Sequence, residues 1–275
     1  MVIRRFTIII PAALVLAIVM SVVGCGGDEG GGGEGGGGEG GGGEGGGSKT
    51  VAIATDIAYP PFEFTRDGKP AGFDIDLMRE IGKRAGFTPE FQNVGFDLII
   101  PGLDNHLYDA AISAMTITED REEQIDFSDP YFNADQSLLV PGDSNIRSTD
   151  DLSDATVGVQ LGTMGAAQAD EFQSEGTVGE VRTFDTIEDA FAALKDGQVD
   201  AVINNLPVSQ DRADQSDGRL KVVETIPTGE QYGIAFPKDS ELVDPVNEAL
   251  AEIKEDGTYE KIYKKWIGRA PEDIP

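Results

Sequence analysis

The sequence predicts an α/β domain whose helices flank a mostly parallel sheet, and three observations carry that prediction. From Lys49 onward, strand-like and helix-like segments alternate. The clearest helical segments are followed by glycine, the residue that most easily takes the left-handed turn past a helix end. Of 275 residues, 39% are hydrophobic, which suffices to bury one large core or two modest ones.

The elements follow in order. Thr50-Val51-Ala52-Ile53-Ala54 reads as a short buried strand. Asp74 to Ala85 reads as a helix with Leu77, Met78 and Ile81 on one face and Gly86 as its C-terminal cap. Thr186 to Lys195 repeats that grammar: a capping box from Thr186 to Asp189, Phe191 and Leu194 facing inward, and Gly197 past the end. Val199-Asp200-Ala201-Val202-Ile203 reads as the next strand. Two helices close the chain, one packing through Val246, Leu250 and Ile253, the other through Tyr259, Ile262 and Trp266.

Composition excludes several chemistries. A net charge of −29 repels nucleic acid and anionic lipid headgroups, so nucleic acid is no partner, and by itself it marks a soluble surface or a salty medium. With Cys25 alone there is no internal disulfide, and with His106 alone there is no histidine-rich metal site. His106 lies in the polar stretch Asn105-His106-Leu107-Tyr108 and reads as a surface residue rather than as part of a catalytic triad. No phosphate-binding loop of the G-x-x-x-x-G-K-[ST] type occurs, and neither metal nor cofactor is expected.

Residues 1–24 read as an export signal, with Arg4 and Arg5 ahead of an apolar run from Phe6 to Val23. Val22-Val23-Gly24-Cys25 resembles a bacterial lipobox, which makes Cys25 the expected site of lipidation. A period-five Gly-Gly-Gly-Gly-Glu repeat follows, with Glu34, Glu39 and Glu44. Such a tether is a solvated coil with a reach on the order of 25 Å. Together these features predict an extracytoplasmic protein, lipid-anchored to the cell membrane at the cell surface or in a periplasm.

Five stretches in a fixed order then carry a resemblance: Tyr59-Pro60-Pro61-Phe62-Glu63-Phe64, Gly72-Phe73-Asp74-Ile75-Asp76-Leu77, Thr116-Ile117-Thr118-Glu119-Asp120-Arg121, Ile125-Asp126-Phe127-Ser128-Asp129-Pro130-Tyr131 and Gln231-Tyr232-Gly233-Ile234-Ala235-Phe236-Pro237-Lys238. From about Lys49 to Gly268 the chain resembles the type 3 extracellular solute-binding proteins of ABC amino-acid importers, most of all the glutamine-binding members. The resemblance implies a two-lobed, periplasmic-binding-protein-like type II fold with two hinge crossings. Lobe 1 would comprise 49–130 plus 233–275, lobe 2 would comprise 137–227, and the crossings would be 131–136 and 228–232. It also implies a monomer that takes a polar amino acid and delivers it to an ABC permease with its ATPase subunits.

The site residues are carried over one by one. Arg121 offers the two-pronged grip that an α-carboxylate requires, although alone it would read as a partner of Glu122 or Glu123 on a solvated helix. Ala114 and Thr116 fall where the family meets the same head group. Tyr59 and Phe96 fall where aromatic rings cover the ligand's aliphatic stem. Gln160-Leu161-Gly162-Thr163-Met164 precedes a helix expected near Gly165, whose first N–H groups form an anion site to which Thr163 adds its hydroxyl. Asp56, Gln160 and Asn204 would meet the ligand's side chain. Asn205 stands where the resemblance expects an aspartate to receive the α-ammonium, so the charge there is missing. Glutamine or a basic amino acid is the expected ligand, because a glutamate would face Asp56 without a matching cation. Two other functions stay open: a dehydratase of the cyclohexadienyl or arogenate type with Asp56 as its acid, and a tethered sensor.

Overall fold

The computed structural model describes residues 49–275; the export signal, Cys25 and the glycine tether lie outside the described residues. The chain runs through β1 (Lys49–Thr55), β2 (Phe64–Arg66), β3 (Lys69–Ala71), α1 (Phe73–Ala85), β4 (Phe87–Asn93), α2 (Phe96–Asp104), β5 (Ala110–Ala111), α3 (Glu119–Glu122) and β6 (Asp126–Phe127). It continues with β7 (Phe132–Pro141), β8 (Thr156–Gln160), α4 (Met164–Ser174), β9 (Glu180–Phe184), α5 (Ile187–Lys195), β10 (Ala201–Asn205), α6 (Leu206–Asp214) and β11 (Leu220–Tyr232). It ends with β12 (Ala235–Phe236), α7 (Val243–Glu255) and α8 (Thr258–Ile267).

Two five-stranded sheets result, in the orders β4-β1-β5-β12-β6 and β11-β7-β10-β8-β9. In the first, β1 is parallel to β4 and β5; in the second, β8 is parallel to β9 and β10. The long strands β7 and β11 pair antiparallel, with Phe132 opposite Tyr232 at one end of the ladder and Pro141 opposite Leu220 at the other. Short helical crossovers joining parallel strands place helices on the sheet faces, as the alternating sequence predicts.

The local signals act as expected. In α1, Leu77, Met78 and Ile81 are buried, and Gly86 ends the helix at φ 82° with its N–H on Gly82 O. The Thr186 hydroxyl accepts from Asp189 N and donates to the Asp189 carboxylate, starting α5, whose buried face includes Phe191 and Leu194. Two details differ. The strand expected at 199–203 runs as Ala201–Asn205, because β7 pairs with it from Val202 to Asn205 and β8 pairs with Ala201 and Val202. In α8 the buried residues are Tyr259 and Tyr263. Trp266 is only half-buried: its indole N–H donates to Asp76 Oδ2 at 2.8 Å and its ring carries Arg66 at 4.7 Å. A partly buried tryptophan needs a partner for its indole N–H, and this edge supplies one.

An aromatic cluster knits the first sheet's helices to the start of β7 and the end of β11. Phe62 meets Phe132, Tyr232 and Phe73 edge-on at 4.9, 5.5 and 5.9 Å, and Phe132 stacks on Tyr263 at 5.3 Å. Rings in these geometries add about 0.5–1.5 kcal/mol per pair beyond the area they bury. His106 is exposed in a turn, as its polar neighbours predict. Among the described residues, no helix is long and apolar enough to cross a membrane, and no group of three or more His, Cys, Asp or Glu could hold a metal ion.

Candidate functional site

Several site residues sit at the carboxyl ends of parallel strands, where open α/β sheets form their crevices. Asp56 follows β1, Gln160 ends β8 and Asn205 ends β10. One cavity, with an interior of about 10 Å³, is lined by Asp56, Tyr59, Glu63, Phe96, Ser113, Ala114, Thr116, Arg121, Gln160, Thr163, Met164 and Asn205. That is room for about one water, so the walls from the two sheets are drawn together. Ten of the eleven ligand-site residues expected from the sequence line it; Asn204 stands beside them, its Oδ1 2.8 Å from the Tyr59 hydroxyl.

Three sets of hydrogen bonds cross from one sheet's side to the other's. The Tyr59 hydroxyl also lies 2.8 Å from Asn205 Oδ1. Gln160 Nε2 donates to Asp56 Oδ2 at 2.6 Å. Arg121 Nη2 donates to Gly162 O at 3.0 Å while its Nη1 donates to Thr116 O at 2.7 Å. The Arg121 guanidinium lies over the Phe96 ring at 5.5 Å and is buried. Neither Glu122 nor Glu123 pairs with it, because α3 is a single turn, started by the Thr118 hydroxyl, that aims Arg121 inward.

Each wall has its own supports. The Tyr59–Glu63 loop closes on itself, Tyr59 N donating to Glu63 O at 2.8 Å, and Phe62 anchors it in the aromatic cluster. Ala114 holds a positive φ of 45°, a strained conformation for a residue with a Cβ, and its N–H is pinned to Asp74 Oδ2 at 2.8 Å. Thr163 differs from expectation. Its hydroxyl caps α4, which starts at Met164, by accepting from Ala166 N, and it donates to Gln160 O. That leaves the hydroxyl engaged within its own turn.

The charges are set by burial. Burial pushes the Asp56 carboxyl up to about 6, the Gln160 bond opposing and the Asp97 charge adding. Arg121 is pushed down to about 10 by burial, with the Glu230 charge pulling the other way. Glu63 is held well above the usual carboxylate range, first by burial and then by the Asp74 charge, whereas burial takes Asp74 to about 6. Glu63 Oε1 accepts from Ser113 and Asp74 Oδ2 from Ala114 N and the Tyr131 hydroxyl, while Glu63 Oε2 and Asp74 Oδ1 are buried without a hydrogen-bond partner, so the neighbouring charge disfavours ionising Glu63.

Glu63 and Ser113 are lining residues that the sequence reading did not assign. Ser113 Oγ accepts from Asp56 N and donates to Glu63 Oε1, and nothing local in either stretch signals it. Glu230, on β11, was also unassigned. It accepts from the Thr116 hydroxyl at 3.0 Å, Gln136 Nε2 at 3.0 Å and Asn205 Nδ2 at 3.2 Å.

The fold and this cleft have known counterparts. Residues 51–269 match the model of bacterial extracellular solute-binding proteins, family 3. The arginine-binding extracellular protein ArtP of Bacillus subtilis is 36% identical over 222 residues, 80% of this chain and 86% of that protein. The ABC transporter glutamine-binding protein GlnH of the same organism is 36% identical over 208 residues, 74% of this chain and 75% of that protein. Among solved structures, the arginine-, lysine-, histidine-binding protein ArtJ of Geobacillus stearothermophilus superposes with a TM-score of 0.76 at 38% identity, covering 82% of this chain and 97% of that one. A match over nearly all the described residues, with two sheets meeting at one cleft, leaves a single assignment: the chain belongs to the bacterial extracellular solute-binding proteins, family 3, and has their two-lobed fold.

Proposed function

We propose that this protein binds glutamine or a basic amino acid between its lobes and delivers it to the permease of an ABC importer. The observation that carries the reading is the polarity of the cleft, where a buried guanidinium, Arg121, and a buried carboxylate, Asp56, line one cavity. Arg121 suits the α-carboxylate, Tyr59 and Phe96 suit the aliphatic stem, and Asp56 with Gln160 and Asn204 suits an amide or cationic side chain. Asn204 Nδ2 is buried without an acceptor, and a glutamine side-chain oxygen would satisfy it. The relatives named above bind arginine, lysine, histidine or glutamine.

The hinge reading assigns 131–136 and 228–232 as crossings between lobe 1 (49–130 with 233–275) and lobe 2 (137–227). The pairing of β7 with β11 supports it, since the register shifts between Ile226 and Glu230, where Asp135 holds the Thr228 and Gly229 N–H groups. Ligand contacts to both walls would favour the closed form. Acylation of Cys25 would hold the domain at the outer face of the membrane on its glycine tether.

Isothermal titration of the purified protein with the common amino acids tests the ligand class, and tight binding of glutamate alone would sink it. The pH dependence separates the two ligand classes. A cationic side chain binds best to ionised Asp56, whose carboxyl sits at about 6. Arginine affinity is therefore expected to fall as the pH drops through that value, by up to about tenfold per unit, with protons released on binding. Glutamine is expected to hold its affinity over the same range, because an amide bonds to either form of the carboxyl group.

A dehydratase is the second reading. It rests on Glu63, which burial holds well above the usual carboxylate range, and on Asp56 in the same cavity, and on a 39% identical structure, the ancestral amino acid-binding protein AncCDT-1, a precursor of cyclohexadienyl dehydratase. Incubation with prephenate or arogenate decides it, and the absence of product rejects it.

A further inference from the structure

An α-amino acid brings an ammonium group as well as a carboxylate, and the lining of the cleft has no carboxylate to spare for it. The only acids in that lining are Asp56 and Glu63. Asp56 is tied to Gln160, at the side-chain end of the proposed pose. Glu63 accepts from the Ser113 hydroxyl through Oε1, and burial together with the neighbouring Asp74 charge disfavours its ionised form. The head-group end is formed by Arg121, Thr116 and Asn205, of which only Arg121 is charged, and it is a cation.

One carboxylate stands directly behind that end. Glu230 is half-buried where β11 returns toward the first sheet; beside it Ile117 N donates to Gln231 O, and Thr116 bridges Tyr232. Its oxygens collect the Thr116 hydroxyl, Gln136 Nε2 and Asn205 Nδ2, but among the described residues it has no cation within ion-pair distance. Its charge reaches the cleft, since it counteracts the effect of burial on Arg121. The bond from Asn205 Nδ2 also fixes the orientation of that amide. Its nitrogen is committed to Glu230, so its oxygen is the atom left toward Tyr59 and the cavity.

We propose that Glu230 is the carboxylate that selects for the α-ammonium group, supplying the negative charge while Asn205, oriented by it, presents the accepting oxygen. The inference rests on the reading that the ligand is an α-amino acid. It divides between two side chains what a single carboxylate would otherwise do. The charge comes from the return crossing and the acceptor from β10, and the two meet where the cleft closes.

The test is a ratio of affinities, measured by titration calorimetry for L-arginine and L-glutamine, each against its desamino analogue. The wild-type protein is expected to prefer the amino acid strongly. Glu230→Gln, which keeps the shape and the hydrogen-bonding reach, is expected to lower that preference by about tenfold or more. Adding Asn205→Asp to Glu230→Gln is expected to restore most of it. A preference unchanged within about twofold in Glu230→Gln overturns the inference, and so does an equal loss for both members of a pair, which is the mark of a purely structural role. If the wild-type protein binds no α-amino acid, the ligand class itself has failed, a result distinct from either. If Glu230→Gln does not fold, the ligand-bound wild-type structure decides. An ammonium nitrogen within about 6 Å of the Glu230 carboxylate supports the assignment, and a more distant one overturns it.

Discussion

Arg121→Ala is expected to weaken ligand binding by about 30-fold to several-thousand-fold, the equivalent of about 2–5 kcal/mol for truncating one partner of a buried charge pair. The side chain is 8% exposed, and both its terminal nitrogens already donate, to Thr116 O and Gly162 O. A carboxylate that takes over those bonds exchanges neutral acceptors for a charged one, which roughly doubles the strength of each. Arg121→Lys keeps the charge but loses the fork, so most of the loss is expected to remain. Thermal stability should hardly change. Burial disfavours the cation, as its downward shift to about 10 records, so removing it relieves a cost as it removes two bonds. Calorimetric titration beside a thermal melt checks both halves. A large fall in Tm alongside the lost binding would mean that Arg121 serves the fold instead.

Gly72→Ala is expected to do the reverse, damaging the fold before the site. Gly72 precedes α1 with φ 135° and ψ 178°, and a methyl group there would stand 1.9 Å from Phe62 O and 2.9 Å from Glu63 N. These are backbone atoms of the loop that carries Tyr59 and Glu63, held there by bonds from Phe73 N to Pro61 O and from Asp74 N to Phe62 O. No side chain can swing aside to make room. The loss should exceed about 3 kcal/mol, in the range reserved for overpacking and forbidden backbone conformations. For a domain of this size that corresponds to a fall in Tm on the order of 10 °C. Differential scanning calorimetry measures it, and a Tm within a few degrees of wild type would show that the loop can move away from α1.

What the sequence revealed depended on how local the cause was. Gly86 and Thr186 act through bonds to residues three or four positions away, so the ends of α1 and α5 could be placed from the sequence. The two sheets follow from alternation and from the family resemblance. The partners of the site residues did not follow. Tyr59 meets Asn204 and Asn205 across about 145 positions of chain, and Ser113 joins Asp56 to Glu63 across about 50. Glu63 and Asp74 look like ordinary acidic residues of exposed segments; only the folded structure shows both fully buried, and burial of an acid leaves no mark on periodicity. The burial of Tyr263 is illegible in the sequence for a related reason. Ile262 and Trp266 lie on nearly the same helical arc, and the packing of Phe73 and Phe132 chooses which side chain goes in.

The register that sets Phe132 opposite Tyr232 has a consequence for how such a protein can be rebuilt. The hundred or so residues between them, carrying β7 to β11, leave the first sheet and rejoin it at one point, where Tyr131 N donates to Tyr232 O at 2.8 Å. A segment whose two ends are neighbours can be lifted out or replaced without stretching what remains. The second sheet is in that sense a cassette. Exchanging it between relatives would transplant Gln160, Asn204, Asn205 and Glu230 together while leaving Arg121, Asp56 and Tyr59 in place, recombining half-sites along a seam the chain already provides.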